Sequence, residues 1–262
     1  MTRHSTREIA SELAGLGVRR GNTLMVHASL RRLGPIEGGA DGVLDAIQLA
    51  LGPTGNILMM IAADDDEPFD RFSTPADPDN GVLAEIFRQR SDVEVNDHPA
   101  CRFAGWGRLT PGLLNPQPLH DYYGIGSPLH RFKQVGGRIL RLGADPDTVT
   151  LTHLAENLAE VPDKVIVERE YERAETGCVL VRSIDDSEGI AKWSGGDYFP
   201  QILLDFLEEG LGSSGTVGDC QAELLDANRF VDFAVGWIER ELTKSPSPRP
   251  LSSPPRSAAR SH

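Results

Sequence analysis

Cysteine is scarce in this chain of 262 residues, and the three present, Cys101, Cys178 and Cys220, are far apart with no CxxC pair. An odd, scattered set argues against a disulfide scaffold and a structural zinc site, and it fits a reducing compartment. Long apolar runs are missing too. The N-terminus is charged and lacks an apolar leader segment, and no stretch approaches the roughly 20 residues that span a bilayer, so the cytoplasm is the expected location. Basic residues are outnumbered: 26 Lys and Arg against 39 Asp and Glu leave a formal charge of -13. Such a surface repels nucleic acid and anionic membranes and attracts cations.

Several catalytic signatures are absent as well. Without a GxSxG elbow, a serine-triad hydrolase is disfavoured. There is no HExxH pair, and the histidines besides His153 stand isolated at 4, 27, 98, 120, 130 and 262, so no metal is expected. Neither a Walker loop nor GxGxxG occurs, so neither ATP nor NAD is specifically indicated. No internal repeat is visible.

What is present divides at Lys244. Residues 245–262 hold five prolines, six serines, three arginines and no acid, a composition expected to be disordered. Residues 1–244 are expected to form one domain. Ser5 and Glu8 make a capping box for a first helix. Strands are expected over 23–27, 56–62 and 138–143, with helices over 39–51, 82–88 and from about 151 to 158. Thr148 or Thr150 is the expected cap of the last of these. Segments 164–168 and 178–182 can pair as antiparallel strands that extend or edge the sheet, and helices near 199–209 and 227–241 close the chain. The alternation predicts an α/β protein, a three-layer α/β/α sandwich with additional antiparallel strands and an irregular active-site rim.

Chemically useful groups gather at the strand ends. The segment SLRRLGPIEGGAD (29–41) places two arginines and paired glycines before a helix, a combination able to hold a pyrophosphate. Asp64, Asp65, Asp66, Glu67 and Asp70 follow a very apolar strand, where repelling carboxylates call for water, a metal or a cationic ligand. The spacing does not match an EF-hand loop. His153 and Glu156 are three apart on one helix, and a histidine beyond a strand end can act as a base near neutral pH. A further acidic turn, Asp185-Asp186-Ser187-Glu188, can orient a base or grip an amine.

These residues resemble the aminoglycoside N3-acetyltransferases, antibiotic acetyltransferases outside the GNAT type. The resemblance covers residues 6–244 and rests on motifs in order: LMVHASLRRLGPIEGGAD (24–41), LGPTGNILM (51–59), EPFD (67–70), HP (98–99), YGIGSPLHRFKQVGGRILRLGA (123–144), VTLTHLAE with VPDK (149–156, 161–164) and VGDCQAELLDANRFVDFAVGWIE (217–239). It implies transfer of acetyl from the cosubstrate acetyl-CoA to the 3-amino group of the 2-deoxystreptamine ring. His153 is then the general base, held in one tautomer by Asp186 or Glu156. Ser29, Leu30, Arg31, Arg32, Gly34, Gly126 and Ser127 line the coenzyme site, and backbone N–H groups near Ser29 or Ser127 stabilise the oxyanion. Asp64, Asp66, Asp70 and Asp186 face the aminoglycoside. The implied assembly is a monomer or homodimer. The chain departs from the family pattern at Asp64, where many relatives have tryptophan, and at Arg102, where the family has serine. Two other readings stay open on the residues alone: an acetyl-CoA-dependent N-acyltransferase for a different amine, and a cation-binding protein without enzymatic activity.

Overall fold

The computed structural model describes residues 3–63 and 68–243. Helix α1 (Thr6–Leu16) begins on the expected capping box, with the Glu8 N–H donating to the Ser5 hydroxyl and the Ser5 N–H donating to the Glu8 carboxylate. The chain continues through β1 (Thr23–Ala28), α2 (Leu30–Leu33), α3 (Gly39–Leu51) and β2 (Asn56–Met60). Next come α4 (Val82–Gln89), β3 (Glu94–Val95), β4 (Phe103–Gly107), α5 (Thr110–Leu114), α6 (Pro128–Gln134), β5 (Arg138–Leu142) and α7 (Leu151–Leu158). The last third holds β6 (Ile166–Arg173), β7 (Gly177–Ile184), α8 (Phe199–Glu208), β8 (Ser213–Val217), β9 (Cys220–Asp226) and α9 (Ala227–Leu242).

Seven strands form one sheet in the order β3-β4-β2-β1-β5-β9-β8. Its centre is parallel, with β1 paired to β2 on one side and to β5 on the other. The flanks are antiparallel. Both faces of the central strands are covered, which is why they read as unbroken apolar runs. Leu24, Val26, Ile57 and Leu140 pack on one face with Ile9, Leu13, Val43, Ile47 and Phe87. Their strand neighbours Met25, Leu58 and Ile139 point to the other face and meet Phe132, Leu154, Phe206 and Phe230. The result is the expected three-layer α/β/α arrangement. No helix among the described residues is long and apolar enough to cross a membrane.

Two expectations are corrected. First, β6 and β7 do not extend the main sheet. They form a two-stranded sheet of their own, Glu168 opposite Arg182, and β6 adds an isolated bridge from Arg173 to Phe69. Along β6 the exposed side chains Ile166, Glu168, Glu170 and Glu172 alternate with half-buried ones, so only one face of the ribbon has cover, unlike a central strand. The sheet edge goes instead to β8 and β9, joined by Gly218-Asp219. That Gly-Asp pair between two strands is a recognised two-residue hairpin signal. Gly218 has φ 56, and a Cβ there would lie 2.4 Å from the Leu33 carbonyl oxygen, so the turn excludes a side chain. Second, Thr150 occupies the N-cap of α7 as expected but makes no capping bond through its side chain, and the Thr148 hydroxyl donates to the Asp145 carbonyl.

Candidate active site

The parallel strands β1, β2 and β5 all point their carboxyl ends the same way, and the chain leaves β1 toward β2 before returning on its other side as β5. That reversal opens a crevice beyond the strand ends, where open α/β sheets bind ligands. A cavity of about 460 Å³ occupies it, bordered by Ser29, Leu30 and Arg31 after β1, Met60 of β2, and Asp145 after β5. His153 reaches this cavity from the first turn of α7. A second cavity of about 530 Å³, under the β6–β7 ribbon, is bordered by Asp77, Arg169, Tyr171 and Asp186, and His153 lines it too. A third, of about 490 Å³, joins His153 to Asp147, Asp186, Glu188 and Asp197. One imidazole therefore stands where three openings meet, and carboxylates border each: Asp79, Asp145 and Asp147 the first, Asp77 and Asp186 the second, and four the third.

The imidazole is held from three sides. The Tyr123 ring stacks on it at 4.5 Å between centroids and 11° between planes, and Phe199 meets it tilted at 4.9 Å. Nδ1 lies 2.8 Å from Oε2 of Glu156, whose side chain is fully buried. The other oxygen of Glu156 accepts from the Tyr198 hydroxyl, which itself accepts from the Ile190 N–H at 3.0 Å. Burial and the neighbouring Glu156 raise the Tyr198 pKa, so that hydroxyl remains a donor. A carboxylate only accepts, so Nδ1 carries the proton and Nε2 is the basic nitrogen. Of the two acids proposed to orient His153, Glu156 makes the contact. Asp186 accepts instead from Arg169 Nη1 and the Tyr122 hydroxyl, each at 2.6 Å.

The residues expected around the coenzyme separate into two groups. Ser29, Leu30 and Arg31 border the first cavity, and Arg31 makes no ion pair among the described residues. Arg32 is already engaged, with Gly143 carbonyl at 2.8 Å and Asp145 at 2.7 Å. Gly34 borders a shallow depression with Arg3, Ile36 and Gly39, away from His153. Gly126 and Ser127 border none of these cavities. Ser127 is buried as the N-cap of α6, accepting from the His130 N–H, and its own N–H donates to Gly124. The Ser29 N–H likewise donates to Leu142 at 2.9 Å. The amides of Ser29 and Ser127 themselves are thus spent on the backbone, which leaves neighbouring N–H groups for the expected oxyanion role.

A model of aminoglycoside 3-N-acetyltransferases matches residues 25–239. The chain belongs to that family. It is 31% identical over 268 residues to aminoglycoside N(3)-acetyltransferase VII of Streptomyces paromomycinus, covering 92% of this chain and 93% of that one. It resembles the solved structure of AAC-IIIb in binary complex with CoASH at a TM-score of 0.89 and 31% identity, over 94% and 100% of the two chains. AAC-VIa bound to sisomicin aligns at a TM-score of 0.86 and 31% identity, over 92% and 100%.

Within this acetyltransferase the acidic loop is anchored by the unusual Arg102. Fully buried, its guanidinium donates to the carbonyls of Ile61 and Ala62 on one side of the loop and of Arg71, Thr74 and Pro75 on the other, at 2.7 to 3.4 Å. Burial lowers its pKa to about 10. Asp64 and Asp66 lie outside the described residues. Asp70 spends Oδ1 on the N–H groups of Phe72 and Ser73 and the Ser73 hydroxyl, organising its own turn rather than bordering the cavity. Those bonds lower its pKa. No group of three or more His, Cys, Asp or Glu side chains among the described residues is arranged to hold a metal. Sequence reasoning missed Tyr123, Arg169 and the adjacent pair Tyr198 and Phe199, which come from three separate segments; no local spacing marks any of them.

Proposed function

We propose that this family member transfers the acetyl group of acetyl-CoA to the 3-amino group of a 2-deoxystreptamine aminoglycoside, directly within a ternary complex. The observation that carries the reading is the placement of His153, with Nδ1 fixed by a buried carboxylate and its ring shared between the cavity at the strand ends and the acidic cavity beside it. The thioester belongs in the first, where Arg31 and the start of α2 offer positive groups to phosphates. The polycation belongs in the second, beside Asp77 and Asp186.

Protonated amines are not nucleophiles. His153 Nε2 takes the proton, Glu156 stabilises the imidazolium that forms, the free amine attacks the acetyl carbonyl, and as the C–S bond breaks the nitrogen passes its surplus proton to the departing sulfur, so that coenzyme A leaves as the thiol. The acidic walls steer the drug inward and offset its desolvation. The catalytic unit runs to residue 244, and the cytoplasm, which supplies acetyl-CoA, is where it acts. Thiol release from acetyl-CoA in the presence of an aminoglycoside panel, with the acetylated nitrogen located by NMR, tests the reading. Acetylation at another nitrogen, or turnover only with unrelated amines, would replace it.

A further inference from the structure

The acidic cavity contains one cation of the protein's own. Arg169 projects from β6 and is about one-third exposed, and its Nη1 sits 2.6 Å from Asp186 Oδ1. Nη2 reaches Asp185 Oδ1 at 3.3 Å and the Ser187 hydroxyl at 3.0 Å. Asp186 is nearly buried, 15% exposed, and its second oxygen is taken by the Tyr122 hydroxyl. An incoming ammonium therefore meets a carboxylate whose two oxygens each already hold a donor, one of them cationic.

We propose that Arg169 is a specificity-determining residue, a tethered counter-ion that a substrate ammonium displaces from Asp186. The inference rests on the aminoglycoside reading above. Three features let the exchange happen at low cost. The guanidinium keeps a second attachment through Nη2 to Asp185 and Ser187, so losing Asp186 does not strand it. Its partial exposure gives the head group water and room to move. The cation count on Asp186 is unchanged, because one N–H donor replaces another and no proton moves. Until it is displaced, Arg169 satisfies Asp186 and repels cations in the same cavity, so it screens out amines too weakly charged to compete. Selection for polycations follows.

Kinetics with sisomicin test this in three proteins. Arg169→Gln keeps an amide donor but removes the charge, and the sisomicin KM should fall roughly three- to tenfold, with the acetyl-CoA KM within about twofold of wild type. Arg169→Lys keeps the charge and should leave the sisomicin KM within about twofold. A sisomicin KM that is unchanged or raised in Arg169→Gln, while wild type turns over, overturns the exchange alone. A wild-type enzyme that neither acetylates nor binds sisomicin overturns the functional reading and the exchange with it. A second measurement needs no variant. Modification of Arg169 in the wild-type protein by a dicarbonyl reagent, followed by mass spectrometry, should speed up at saturating sisomicin. Protection of Arg169 by sisomicin would mean that the guanidinium stays on Asp186, and would overturn the proposal.

Discussion

Replacing Glu156 with glutamine removes one charge at the centre of the site with almost no change in volume. The carboxylate serves two donors at once, His153 Nδ1 on Oε2 and the Tyr198 hydroxyl on Oε1. An amide has one oxygen. If it turns the oxygen to Tyr198, its NH2 faces Nδ1 and drives the imidazole proton to Nε2, so the base no longer faces the cavities. If it turns the oxygen to His153, the tautomer survives but the imidazolium formed on proton transfer has no counter-charge. A pair of unit charges about 4 Å apart at an effective dielectric of ~20 interacts by about 4 kcal/mol. That corresponds to roughly three powers of ten in rate. Hydrogen bonding by the surviving oxygen recovers part of it, so Glu156→Gln should lower kcat roughly 10²- to 10³-fold. Thiol release at saturating amine and acetyl-CoA measures this, with a thermal unfolding curve to show that the protein is intact. The acetyl-CoA KM should stay within about twofold, because Glu156 borders neither main cavity. An intact variant with kcat within about threefold of wild type would remove Glu156 from the mechanism.

Three further outcomes are expected. His153→Ala should lose roughly two to four powers of ten in kcat while binding acetyl-CoA almost as before; unchanged turnover would assign the base elsewhere. Arg31→Ala should raise the acetyl-CoA KM roughly three- to tenfold, whereas Arg32→Ala, which releases Gly143 and Asp145, should lower the melting temperature instead. Equal effects of the two on KM would refute that division. Burial holds His98 neutral with its pKa lowered to about 4, and burial together with Arg141 lowers that of His27 to about 3. The unfolded chain takes up these protons from about pH 6.5 downward and the native state does not. Stability is therefore full above that pH and falls on acidification toward pH 4, by about 1.4 kcal/mol per pH unit for each histidine. Denaturant unfolding at pH 7.5 and 5.5 reads the slope, and His98→Gln should flatten it by about one proton; an unaltered slope would show that His98 is not a source.

Locally encoded features were legible without coordinates. The capping box at Ser5, the apolar stripe of α3 and the apolar runs of β1, β2 and β5 are set by neighbours a few residues away, and each lies within a residue or two of its expected place. The edge hairpin β8–β9 has a local mark in Gly218-Asp219 that the strand pattern alone does not bring out. The sheet to which the ribbon β6–β7 belongs is not legible, because alternating polarity shows that one face is covered but not by what.

His153 stood out from the sequence because histidine chemistry and position beyond a strand are both local properties. Its partner did not: helix spacing offered Glu156 and the acidic turn offered Asp186, and only packing turned Asp186 toward Arg169 and Tyr122. The sequence thus determined the layered fold, the family and the candidate base. The tertiary structure alone decided which acid contacts that histidine, which backbone amides are already spent, and where the protein places a cation of its own. The physical reason is that secondary structure and residue chemistry depend on near neighbours along the chain, whereas hydrogen-bond partners depend on which distant segments arrive first within 3 Å of a donor.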